Sequence, residues 1–216
     1  MEKRYQELMN EAYALPYGDS KIALLEEAIR IADTHLTFEK QYSARMELTD
    51  AAVMSGRIEK GVVSFAWCLA NYERGEHGYS DYLIIWHYKW ICGNIKEFPE
   101  VSTAKIEEML ADYRQWLQKA GYNLRSYYKL QRSWAEHRGD KEQARYYYKK
   151  WQETEDDIMT DCEACEVNGE VNYWLNQGQF NKAYEIAKPL IDGDLTCHSV
   201  PQVTYGELLL PLLERG

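Results

Sequence analysis

Proline, strand-like alternation and long apolar runs are all scarce in this chain, and each scarcity closes a class of structure. Only 5 of the 216 residues are proline, so few points exist where a helix must stop. Alternation of apolar and polar residues with β-branched side chains, the mark of strands, is nearly absent. No apolar stretch approaches the roughly 18 residues that cross a bilayer. Met1-Glu-Lys-Arg opens a charged segment with no apolar signal core behind it. No membrane partner is expected, and the chain reads as cytoplasmic. A basic excess is lacking as well: 25 Lys and Arg face 35 Asp and Glu, for a net charge of −10 and a pI near 5.1. Nucleic-acid binders carry a basic footprint because their cations displace phosphate counterions, so nucleic acid is not an expected partner.

Five cysteines, an odd and widely spaced set, make a poor disulfide framework. Cys68 and Cys92 lie within the apolar runs Ala66-Trp-Cys68-Leu and Trp90-Ile-Cys92-Gly, which predicts buried, inert thiols. Missing too are a phosphate loop, a nucleophile elbow and a His-Glu-x-x-His helix. The carboxylates are scattered without an acid/base pair. No catalytic residue is nominated, and the chain is not expected to be an enzyme.

What is present is helical periodicity, with apolar residues recurring at three and four, and a heavy aromatic load of 18 Tyr and 7 Trp. Gly18, Gly56, Pro99, Gly139 and Gly178 break the pattern at spacings of about 38 to 43 residues. A small residue follows each by five: Ala23, Gly61, Ala104, Ala144 and Ala183. A breaker ends one helix, and a small residue one turn into the next lets two backbones pack closely. Periods of 20 to 50 residues signal a helical array. Helices are predicted over about 3–14, 37–54, 58–73, 81–96, 102–119, 123–138, 140–155, 162–176, 179–191 and 201–214, and between the first two of these a further helix presents Ile22, Leu25, Ala28, Ile29 and Ala32 on one face. Ser20 is expected to cap the second helix and Asp140 with Gln143 to form a capping box. Pro211 is expected to kink or end the last helix. The polar stretch 73–80 reads as a loop and not as a domain boundary. One domain spans 1–216, with a repeat array over about 3–157 and a carboxy-terminal section over about 158–216.

With these features the chain resembles the tetratricopeptide-repeat superfamily: the helix-turn-helix unit, the Gly-x-x-x-x-Ala pattern and the alanine at the seam all match. Tyr88-Lys-Trp-Ile91, Asp161-Cys-Glu-Ala-Cys165 and Leu208-Leu-Leu-Pro211 are similar to segments of bacterial repeat proteins. The expected architecture is an all-α, right-handed α-solenoid of about five antiparallel helix pairs plus a carboxy-terminal capping helix. The resemblance implies protein or peptide binding on a concave face.

Chemistry concentrates in Cys162-Glu-Ala-Cys165 and, after a gap, Cys197-His198. Two cysteines three apart at a helix start face the same way, and the helix N-terminus favours thiolates. At 1.5 Å per residue, helix 162–176 climbs about 21 Å and helix 179–191 descends about 18 Å, which returns the chain to the level of Cys162. A Cys₃His zinc clip of Cys162, Cys165, Cys197 and His198 follows, with Asp161 or water in the fourth place if His198 does not reach. Free structural thiols remain an alternative. A redox pair is disfavoured, since the segment before the motif is helical and not a strand.

Arg125, Lys129 and Arg132 form a stripe at spacings of four and three, which His87, Lys89 and Arg45 extend. Such a stripe can hold the carboxylates of an acidic peptide. The competing reading is a solvated face whose cations pair locally with Glu and Asp. His87, on the nearly all-apolar helix 82–91, reads as a hydrogen-bonded core histidine. His35 and His77 show no partner pattern. The Leu208–Leu213 run caps the array or supports a homodimer. The expected function is a protein- or peptide-binding adaptor. A ligand-responsive regulator that changes curvature, and a zinc hydrolase, are the alternatives.

Overall fold

A computed structural model of the protein describes residues 1–214, and of Leu210 and Glu214 the backbone alone. It contains α1 (Glu2–Ala14), α2 (Asp19–His35), α3 (Phe38–Met54), α4 (Ile58–Ala70), α5 (Asp81–Asn94), α6 (Thr103–Ala120), α7 (Arg125–His137), α8 (Lys141–Glu153), α9 (Glu163–Asn176), α10 (Phe180–Ile191) and α11 (Gln202–Glu214). Among the described residues there is no strand. Two compact units divide inside α6, one over Met1–Trp116 and the other from Leu117 onward.

Three of the five breakers build the same turn. Gly56, Gly139 and Gly178 have φ of +69°, +72° and +74°, the left-handed region that glycine enters without a Cβ penalty. Beyond each, the next N–H reaches back five residues: Arg57 to the Ala52 carbonyl, Asp140 to Ala135 and Gln179 to Trp174, at 2.8, 2.9 and 2.8 Å. This is a Schellman cap, which satisfies carbonyls left over at the helix end. The small residues that follow, Gly61, Ala144 and Ala183, are all buried, as the seam requires. A fourth copy at Gly121, with Tyr122 bonding back to Leu117 at 2.9 Å, escaped the repeat pattern.

The other two breakers behave differently. Gly18 is extended (φ 156°, ψ 177°) and serves as the N-cap of α2, while Pro99 lies inside a turn in which Val101 bonds to Phe98. Without the left-handed turn the register shifts, and Ala23 and Ala104 are exposed. Ser20 does not cap α2, because the helix already begins at Asp19. Asp140 does cap α8, accepting from the Gln143 N–H at 3.0 Å. Pro211 does not end α11, which runs to Glu214, and α10 likewise contains Pro189. Both prolines lie within the last four residues of their helices, so each removes one bond to the i−4 carbonyl but leaves little helix beyond it to be disrupted.

A Cβ added at Gly61 would meet Ala52 Cβ and Val53 Cγ2 at 3.5 Å, an ordinary contact. Gly61→Ala is therefore expected to stabilise the protein by about 0.5–1 kcal/mol, the helix-interior cost of glycine. Urea unfolding should show a raised midpoint at unchanged slope, and a lowered midpoint would mean the seam cannot take the methyl group.

In the first unit, Tyr5, Leu8, Met9 and Ala12 line one face of α1 at helical spacing and pack with Ile22, Leu25, Ala28 and Ala32 of α2 and Ala44, Leu48 and Ala51 of α3. The 73–80 loop is ordered by His77, whose ring stacks at 4.5 Å on Tyr42 and 4.7 Å on Tyr72. Its Nδ1 accepts from the Tyr79 N–H at 3.0 Å, so Nε2 carries the hydrogen that it donates to the Tyr72 carbonyl at 2.8 Å. His77 thus has partners that no sequence pattern marks, because they come from a distant tyrosine and from local backbone. In the second unit α7 packs on α8 and α9 on α10. Leu208 of α11 is buried with Val171, Ala183 and Ala187, while Leu209, Leu212 and Leu213 are exposed.

Candidate metal centre

Cys162 is the N-cap of α9, and Cys165 lies in its first turn, one helical step along the same face. The chain returns along α10, and two backbone hydrogen bonds shape the link that follows. Leu195 N–H donates to the Pro189 carbonyl at 3.0 Å, and Cys197 N–H to the Val200 carbonyl at 3.0 Å. The three Sγ atoms lie within 4.8 Å of one another. Cys165 and Cys197 are 3.3 Å apart and pack beside Ala164, Leu190 and Val200, while Cys162 is exposed. The estimate from helix lengths therefore holds for three of the four expected ligands. His198 is exposed and is not one of this group. Asp161 is held by another partner, described below.

Burial pushes the Cys165 thiol well up, and hydrogen bonding to Cys197 and Cys162 adds to the shift. Burial also raises Cys197, but hydrogen bonds from Cys165, from the backbone of Ser199 and Val200 and from Cys162 outweigh it and bring Cys197 below the usual thiol value. Of the two, Cys197 is the readier thiolate. The remote cysteines are different. Burial pushes Cys68 up to about 12 and Cys92 well above the ordinary range, as expected of inert core thiols.

The basic stripe exists, but in the second unit its cations meet carboxylates and an indole of the same chain. Glu166, next to Cys165, accepts from Arg125 Nη2 at 2.8 Å, Trp151 Nε1 at 2.9 Å and Lys129 Nζ at 2.7 Å. Lys129 also donates to Asp161 Oδ2 at 2.7 Å and to the Cys165 carbonyl at 3.1 Å. Arg125 reaches the carbonyls of Trp151 and Thr154 at 2.8 and 2.7 Å. Arg132, only 4% exposed, pairs with Glu136 at 2.8 Å. The three cations surround the buried Trp151 ring at 5.8, 5.4 and 5.3 Å. Burial pulls the Lys129 pKa down, but Asp161 and Glu166 outweigh that and hold it above the ordinary lysine value. This network ties α7 and α8 to the helix that carries two of the cysteines.

Gly169 makes the network possible. A Cβ there would stand 2.9 Å from Lys129 Cε and 3.2 Å from the Trp151 ring. Gly169→Ala is expected to cost about 1–3 kcal/mol through overpacking, despite the gain in helix propensity. A urea midpoint equal to or above that of the unaltered protein would contradict this. A lone glycine inside a helical pattern was the available signal.

In the first unit Arg45 forms a double hydrogen bond with Asp33 at 2.8 and 2.7 Å and lies 4.1 Å from the Trp67 ring centre. His87 is buried and donates from Nδ1 to the Leu83 carbonyl at 2.7 Å, and burial lowers its pKa. Lys89 is buried with its ammonium 3.4 Å from the Trp86 ring centre. All six residues contact groups of their own chain, and four of them pair with Asp or Glu, but from a largely buried face and not a solvated one.

The first unit also holds a groove of about 590 Å³ that spacing did not reveal. Val62, Ala66 and Leu69 of α4 form one wall, Met109 and Ala111 of α6 the other, and Phe65 and Ile91 contribute to the lining. Small side chains at 66 and 111 leave the space open. On its rim Lys105 pairs with Glu108 at 3.0 Å, and Asp112 accepts from the Tyr88 hydroxyl at 2.8 Å.

Fold and site define an all-helical protein with a three-thiol centre able to hold a metal ion. No helix among the described residues is long and apolar enough to cross a membrane. No family model, curated protein or solved structure matches the chain.

Proposed function

We propose that this chain is a non-catalytic interaction module of the tetratricopeptide-repeat kind, a right-handed array of helix pairs that binds a segment of a partner protein. The α4–α6 groove is the observation that carries this reading. Its volume lies in the range of ligand sites, and its walls are apolar with few polar groups at the rim. An amphipathic helix lays its apolar stripe into such a groove. The rim carries Glu108 and Asp112 against Lys105 alone, so the fitting helix bears a basic residue beside its apolar stripe. An acidic ligand fits less well, because the stripe cations already hold carboxylates of their own chain. Ala66 and Ala111 are exposed, so Ala66→Arg with Ala111→Arg fills the groove without disturbing the core. Partners retained by the unaltered protein should be lost by this variant at unchanged helical content. Retention of the same partners would refute the groove.

A second observation supports an auxiliary role for metal. Three thiols gathered at a helix N-terminus suit one zinc ion, which would clip the link after α10 to the start of α9. The exposed Leu209, Leu212 and Leu213 support pairing with a second copy through α11. Sedimentation at two concentrations reads that directly, and a monomer at both removes it.

A further inference from the structure

The zinc reading rests on three thiols, and the surroundings of those thiols say what the fourth coordination place takes. A zinc–sulfur bond of about 2.3 Å sets sulfurs about 3.8 Å apart around a tetrahedron, so Cys165 and Cys197 at 3.3 Å need only a small opening. Among the described residues no imidazole nitrogen or carboxylate oxygen completes the group within its 4.8 Å span. His198 is exposed and outside it. Asp161 is engaged by the largely buried Lys129 at 2.7 Å, and drawing it onto a metal would weaken the pairing of that ammonium. Cys165 and Cys197 lie against apolar side chains, whereas Cys162 is exposed, so the open side of the cluster is the side of Cys162. Three protein ligands with an open place are the arrangement in which zinc accepts an outside ligand.

Charge selects the class of that ligand. Three thiolates and one divalent ion sum to −1. The cations bonded to the Cys165 carbonyl and to Glu166 do not offset it, because Lys129 is matched by Asp161 and Glu166, and Arg125 by Glu166 and Asp156. A fourth anion would deepen the negative charge, whereas a neutral nitrogen donor leaves it unchanged. We infer that the metal at Cys162, Cys165 and Cys197 keeps an exchangeable fourth position that takes a neutral imidazole, such as a histidine side chain of a bound partner. The centre is then a contact point for the partner as well as a clip.

Cobalt(II) replacing zinc in the reduced full-length protein makes the position visible. Its d–d bands report coordination number and donor type, and sulfur-to-cobalt charge transfer in the near ultraviolet counts thiolates. The expected spectrum is that of three thiolates in a four-coordinate site. Added imidazole should shift the d–d bands saturably while the charge-transfer band keeps its height. A small thiol should act about tenfold or more weakly, since it binds as an anion. Cobalt bound with d–d bands that imidazole does not move would overturn the inference, as would a spectrum altered by His198→Ala before any imidazole is added. Imidazole that strips the charge-transfer band would also overturn it. No cobalt uptake at all would instead remove the zinc reading beneath it.

Discussion

Glu166→Ala is expected to lower the stability of the carboxy-terminal unit by about 3–5 kcal/mol, the cost of removing one partner from a buried ionic cluster. The glutamate carries three donors at once: the Arg125 guanidinium, the Lys129 ammonium and the Trp151 indole. Alanine leaves the indole N–H without its acceptor and Lys129 with Asp161 as its remaining carboxylate. The buried indole loses its acceptor, and the largely buried ammonium keeps only part of what offsets its desolvation. Glu166→Gln should recover only part of the loss, because its NH₂ would face either Lys129 or Arg125 in place of a carboxylate oxygen. Urea unfolding followed by Trp fluorescence measures both variants, and a loss below about 1 kcal/mol for Glu166→Ala would show an exposed, solvent-screened network. Because Glu166 adjoins Cys165 and Lys129 bonds to the Cys165 carbonyl, the same variant should bind metal more weakly.

Metal content is expected at about one zinc per chain in protein purified without chelator. Cys162→Ser and Cys197→Ser should each abolish it, while Cys68→Ser leaves it unchanged, since that thiol is buried far from the cluster in sequence and its proton is held by burial. Metal that binds only the folded chain stabilises it by about 2.7 kcal/mol at a free concentration of 100 Kd, so chelation should lower the unfolding temperature by the matching amount. The effect requires the link after α10 to be pinned by metal and not by Cys197 N–H to Val200 alone. Elemental mass spectrometry with thermal unfolding, before and after chelation, decides it. Absence of metal together with five titratable thiols in the unfolded protein would leave a helical protein with three neighbouring free thiols.

The sequence by itself determined the helices and the turns between several of them. All eleven were legible because apolar spacing is a local signal, and because Gly56, Gly139 and Gly178 each force a left-handed turn wherever the rest of the chain goes. Where the breaker was an extended glycine or a proline, the same pattern misplaced Ala23 and Ala104, since nothing local ties the next helix to a register. The convergence of Cys162, Cys165 and Cys197 was legible too, because two helices of similar length bring the chain back to its starting level. Tertiary structure alone decided what the cations do. Spacing places Arg125, Lys129 and Arg132 on one face of α7, yet which face turns inward depends on Trp151 and Glu166 from two other helices. It also decided that His198 stands apart, that Gly169 yields its side-chain space to Lys129, and that Ala66 and Ala111 leave a groove open. Helix formation is a short-range matter of spacing and backbone conformation, whereas pairing of charges and the emptiness of a cavity depend on residues distant in sequence that only packing brings together.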